Sequence, residues 1–328
     1  MANWQSKLSK DPSEWLLNST PWTKYNTLTQ LLGQHETSPD VAAARAEMLA
    51  HPQILSVIND ANDWFRIPPT RHDDSKMSHY KLKMLADFGL SISDGGISGI
   101  VEKAKEHTEN GLFCIKQALP EKGNFNVKID ADFNEWHALP CDSILISSIL
   151  YKLGDRGAVV QESVQSICSK WDTEIGWFCH LFFVESQFKK CKMGCPMAGL
   201  HTLELLSLLK NVDSTLVRNA YSPLKYHREL GKSLYYFGRS KKFWSLKYPY
   251  VWYNALYIAD VLTRFNELKG EPLVEEIVEW IVKSQTSEGT FIPTSMFMEY
   301  KGWDFSNKKE PSPWLTFLCC KILKQYFG

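Results

Sequence analysis

The chain lacks an apolar run of about eighteen residues, the usual mark of a membrane-spanning helix, so no integral membrane segment is expected. It also lacks charge of one sign. Lys+Arg and Asp+Glu both number 37, leaving no global field to draw in nucleic acid or an anionic surface. The opening segment, Met1 to Lys10, holds no apolar stretch of signal-peptide length, and the expected location is cytoplasmic. Eight cysteines in 328 residues are too few for a disulfide-dense scaffold. In a reducing compartment they read as buried thiols or metal ligands. No glycine-rich phosphate loop and no Gly-x-Ser-x-Gly elbow occurs, which removes two well-marked routes to catalysis.

What is present is apolar and aromatic. With 44% hydrophobic and 13% aromatic residues the chain can bury a large core, and one domain over residues 1–328 is expected. Six apolar stretches recur at a spacing of about 55 to 60 residues. They are Trp22 to Gly33, Ser78 to Gly89, Cys141 to Gly154, Pro196 to Leu209, Pro249 to Phe265 and Ser312 to Phe327. Prolines open or closely precede several, and Gly33, Gly89 and Gly154 close three, as helix starts and left-handed caps require.

Between them lie amphipathic segments: Asp40 to Leu49, Ile97 to His107, Ala158 to Lys170, Ser214 to Phe237 with an expected break at Pro223, and Leu273 to Lys283. Gly111-Leu112-Phe113, Gly176-Trp177-Phe178 and Gly289-Thr290-Phe291 repeat one closing motif. Asn126 to Asp130 is the one fair strand candidate. Alternation of buried and amphipathic helices predicts an all-α fold, an (α/α)6 toroid of inner and outer helices whose faces are covered only when the ring closes. Asp11 to Asn18 would cover the last inner helix.

With its Gly-x-aromatic closures, this repeat resembles those of squalene cyclases and protein prenyltransferase β subunits, both α/α toroids. Gly176-Trp177-Phe178-Cys179, Cys195-Pro196-Met197, Lys247-Tyr248-Pro249 and Pro311-Ser312-Pro313-Trp314-Leu315-Thr316 resemble a prokaryotic prenyltransferase-like or squalene-cyclase-like branch. The resemblance implies a toroid cavity for a hydrophobic, isoprenoid-type substrate. The family's acid motif Asp-x-Asp-Asp is absent, with Asp130-Ala131-Asp132-Phe133 its nearest approximation. Asp73-Asp74-Ser75-Lys76-Met77 likewise fails the Asp-Asp-x-x-Asp magnesium motif. The zinc of protein prenyltransferases, held by Asp, Cys and His, finds no complete match by motif.

Three sets of residues could carry chemistry. Cys141, Cys179, Cys191 and Cys195 lie at or between the starts of two successive inner helices, where four thiolates would suit a tetrahedral zinc ion. His180 or His201 could replace one of them, and ordinary buried cysteines are the alternative. Tyr80, Tyr250, Trp252, Tyr253, Trp303 and Trp314 are candidates for lining a pocket and stabilising a cation, or for plain core. Asp142, His79, Tyr248 and Asp304 are the candidate catalytic acids and bases, Asp142 serving alternatively as a first-turn carboxylate and Asp304 as a loop anchor. The lysine pairs Lys241-Lys242, with Arg239 close by, and Lys308-Lys309 could contact a diphosphate, but solvated surface is the better reading.

The leading expectation is an enzyme that encloses a small hydrophobic molecule, with zinc as its candidate cofactor. A carbohydrate-active (α/α) barrel would need paired carboxylates that the helix starts scarcely offer. A noncatalytic ligand-binding module is the third reading. The sequence points to no particular protein partner.

Overall fold

Apolar stretches that begin at proline become helices, and a computed structural model of the chain shows where each begins and ends. It describes residues 4–66, 68, 73–116, 136–170 (without the Lys170 side chain), 176–177, 193–230, 237–238 and 240–328. The structure is mostly helical. Pro21, Pro39, Pro52, Pro140, Pro196, Pro272 and Pro313 each open a helix, where the missing N–H has no intrahelical partner to lose. Gly33, Gly89 and Gly154 all take positive φ just past helix ends, as expected of left-handed caps.

The chain divides into two compact units, one of Met1–Val57, Asp87–Gly89 and Ser240–Gly328, the other of Ile58–Ala86 and Leu90–Arg239. In the first unit, the Pro21–Asn26 helix passes into a π-helical turn, Thr27–Leu31, and packs against Pro39–Leu49. Ser13–Leu17 packs on the C-terminal helix Pro313–Phe327, so the early segment does cover that helix. Ala255–Leu262 starts six residues later than the Pro249 signal suggested. Asn254 explains the shift: its side chain accepts the Tyr257 N–H at 2.9 Å and supplies a better cap. Pro272–Lys283 buries Val274, Ile277, Val278 and Ile281 along one stripe and leaves the opposite face to solvent.

The second unit is built around the Pro140–Lys152 and Pro196–Leu206 helices, whose residues are buried almost all round. Pro196–Leu206 also packs on Ser214–Leu230. Gly199 permits their approach, since a Cβ there would lie 2.6 Å from the Ala220 carbonyl oxygen. The expected break at Pro223 does not occur: Pro223 lies inside one continuous helix. Its ring is buried in the same stripe as Ala220, Tyr221, Leu224 and His227, so packing outweighs the lost hydrogen bond. Thr108–Glu109 pairs with Leu112–Phe113, and Ile115–Lys116 with Trp136–His137, two short antiparallel ladders that the sequence reading missed. Asn126 to Asp130 lies outside the described residues.

Two buried clusters as candidate functional sites

Each unit contains a buried cluster that gathers part of the candidate residues. In the second unit, His79, Tyr80 and Lys83 lie on the Ser78–Phe88 helix, Cys141 and Asp142 in the first turn of Pro140–Lys152, and His201 and Glu204 on Pro196–Leu206. All are buried. His79 Nε2 lies 3.4 Å from Asp142 Oδ1. The Cys141 thiol donates to Asp142 Oδ2 at 3.9 Å. Phe65 stacks on the His79 ring with centroids 5.5 Å apart, and Tyr80 tilts against it at 4.1 Å.

Phe65 reaches this position with φ of 47°, uncommon for a bulky residue. Its N–H is fixed by the Ser78 hydroxyl at 3.1 Å, so the first residue of the helix holds the aromatic that packs on the second. Tyr80 is raised well above the usual phenol range, first by burial and then by Asp142, Cys141, Asp73 and Asp74.

Two members of this cluster went unnoticed in the sequence. Lys83 Nζ meets Glu204 Oε1 at 2.5 Å, with both side chains 3% exposed. Their signal was available: a lysine and a glutamate each within a helix of buried apolar residues demand partners. His201 Nδ1–H donates to the Cys141 carbonyl at 2.7 Å. Burial lowers the His201 pKa to about 4 against the opposing effects of Glu204, that carbonyl and Asp142, while Lys83 adds to the lowering. His201 is therefore a neutral donor at physiological pH. This bond ties the first turn of one helix to the middle of the next.

Of the proposed metal ligands, Cys141 and Cys195 are buried at the starts of adjacent packed helices. Cys179, Cys191 and His180 lie outside the described residues. Among the described residues no group of three or more His, Cys, Asp or Glu is arranged to hold a metal ion.

The first unit holds the larger aromatic cluster. Phe88 is its centre, with Trp22 at 5.3 Å, Trp314 at 4.8 Å, Trp303 at 6.0 Å and Tyr248 at 6.1 Å between centroids. Phe305 meets Tyr248 at 5.1 Å and Trp303 at 5.3 Å. Tyr250 lies edge-on to Tyr248 and stacks on Tyr257. Thus Tyr248, Tyr250, Trp303 and Trp314 pack into one buried cluster, with Phe88, Trp22, Phe305 and Tyr257 added by the fold. Trp252 and Tyr253 pack on one another, Trp252 being half-buried. Tyr80 belongs to the other cluster.

Two carboxylates serve this cluster. Asp87 accepts a hydrogen bond from the Tyr248 hydroxyl at 3.2 Å, and burial followed by Asp87 raises Tyr248 well above the phenol range. Asp304 Oδ2 accepts from Trp314 N–H at 2.8 Å and from the Ser312 hydroxyl at 3.2 Å, which anchors the start of the last helix. Burial nevertheless pushes the Asp304 carboxyl up to about 6 because its hydrogen bonds come from neutral donors. Asp260 behaves oppositely. Although burial resists its charge, Lys321 at 2.6 Å and Arg264 at 3.1 Å hold it below the usual carboxylate range.

Among known proteins, no family model matches the chain. No curated protein matches it either.

Proposed function

We propose that the chain is a terpenoid-cyclase- or prenyltransferase-like enzyme on an (α/α)6 toroid, enclosing a hydrophobic, isoprenoid-type substrate and handling its proton at Asp304. One observation carries this reading. A buried carboxyl, Asp304, lies beside Trp303, Phe305 and Trp314 in a cluster rich in aromatic rings, where burial pushes it up to about 6. An acid of that strength is partly protonated near neutral pH and suits general acid catalysis. Asp304 gives its proton to an alkene carbon, the alkene's electron pair forming the new C–H bond. The cation that results is favoured by the negative faces of nearby rings. Loss of a proton from a neighbouring carbon to the Asp304 carboxylate restores the acid and forms a new alkene. The outcome is isomerisation or cyclisation without a redox cofactor.

Zinc at Cys141, Cys179, Cys191 and Cys195 belongs to the same proposal as a structural element. It is supported by two of these thiols lying buried at the starts of adjacent packed helices. The function is tested by incubating the protein with acyclic isoprenoids and following products by gas chromatography and mass spectrometry. Asp304→Asn should lower turnover by about a hundredfold or more, the usual contribution of a general acid. Full turnover in a folded Asp304→Asn protein would reject the assignment.

A further inference from the structure

Four polar atoms of the aromatic cluster are buried without a hydrogen-bond partner among the described residues: Trp22 Nε1, Trp314 Nε1, Asp304 Oδ1 and Ser306 Oγ. Native proteins leave few buried polar groups bare, and those that remain call for a partner. These four belong to one connected neighbourhood. Trp22 and Trp314 share Phe88 as a ring neighbour, at 5.3 Å and 4.8 Å. Asp304 and Ser306 flank Phe305 in sequence, and the other Asp304 oxygen holds the Trp314 backbone N–H at 2.8 Å.

The donor and acceptor roles of these atoms narrow what could complement them. Each indole N–H needs an acceptor, the carboxylate oxygen needs a donor, and the serine hydroxyl can act as either. A hydroxyl group both donates and accepts, so it can satisfy the carboxylate and an indole together. A fully ionised diphosphate cannot donate and would bring negative charge towards Asp304, whose main hydrogen bonds come from neutral donors. A hydrocarbon offers neither function.

We propose that this cluster receives the neutral hydroxyl of an otherwise apolar molecule, making the substrate class an apolar alcohol. This deepens the hydrophobic-substrate reading of the same cluster and rests on it. While the Asp304 carboxyl is ionised, the hydroxyl donates to its Oδ1 and accepts from an indole N–H, and ring faces take the apolar chain.

The test compares four probes that share one chain: farnesol, its methyl ether, farnesene and farnesyl diphosphate. Tryptophan fluorescence and native mass spectrometry read their binding to the full protein. Farnesol should bind about tenfold more tightly than the ether, which keeps the acceptor but loses the donor, and more tightly than farnesene or the diphosphate. Asp304→Asn, which supplies a donor of its own, should erase the preference for alcohol over ether. Because Asp304 also anchors a helix, Trp22→Phe and Ser306→Ala are measured beside it; each should weaken farnesol more than farnesene. Equal binding of farnesol and the ether or farnesene, or tightest binding of the diphosphate, overturns the hydroxyl assignment and leaves the hydrophobic site standing. If none of the four binds, both readings fall.

Discussion

Replacing Lys83 by methionine removes one member of an ion pair that is shielded from water on both sides. The ammonium and the Glu204 carboxylate are 2.5 Å apart, and each side chain is 3% exposed. Losing one partner strands the other charge in a low-dielectric setting, which typically costs about 3–5 kcal/mol. Against a total stability of roughly 5–15 kcal/mol, that is a large fraction. Methionine has nearly the length of lysine, so packing changes little and the effect reports charge. The double substitution Lys83→Met with Glu204→Leu removes both ions and should recover most of the loss. Urea unfolding at fixed temperature, followed by circular dichroism, measures both. A loss below about 1 kcal/mol for Lys83→Met, or a double variant as unstable as the two single losses added, would refute the claim that burial sets this pair's energetics.

Three further outcomes follow from the geometry. Burial raises the folded pKa of Asp304 from the ordinary carboxylate range to about 6, so the folded state binds its proton more tightly than the unfolded state. Its contribution to stability is full below about 4 and is lost as pH rises through 6, and Asp304→Asn should flatten urea midpoints measured between those limits. Ser312→Ala removes the side chain that accepts the Leu315 N–H at 3.1 Å and should cost about 1 kcal/mol in the same assay. For zinc, elemental analysis of protein purified without added metal should find about one equivalent, and Cys195→Ser should release it and lower the melting temperature. Stoichiometric metal retained in Cys195→Ser, or none in the native protein, would reject the ligand set.

The helix starts and caps were legible because they depend on local chemistry. Proline at a first turn and glycine in the left-handed region declare themselves within a few residues. Asn254 shows the limit of that reading, since a side-chain cap overruled the earlier Tyr248-Pro249 signal. Pro223 shows another, because the burial that keeps it in a helix comes from tertiary packing. Within the candidate sites, Tyr248, Tyr250, Trp303, Trp314 and Asp304 could be singled out from aromatic composition and repeat position. Phe88 could not, because its role as the centre of a ring cluster depends on neighbours far along the chain. Lys83 and Glu204 went unnoticed although each is a charge in an apolar helix, because 121 positions separate them and only the fold pairs them. The two-residue strands near Phe113 and Trp136 were too short to show alternation.

The most direct test of the central claim is proton transfer itself. The full protein is incubated with an acyclic isoprenoid in heavy water, and the products are examined by mass spectrometry for deuterium on carbon. The account predicts one non-exchangeable deuterium in the product formed by the native protein and a loss of that product with Asp304→Asn. Product formed without deuterium, or formed equally by a folded Asp304→Asn variant, would contradict it.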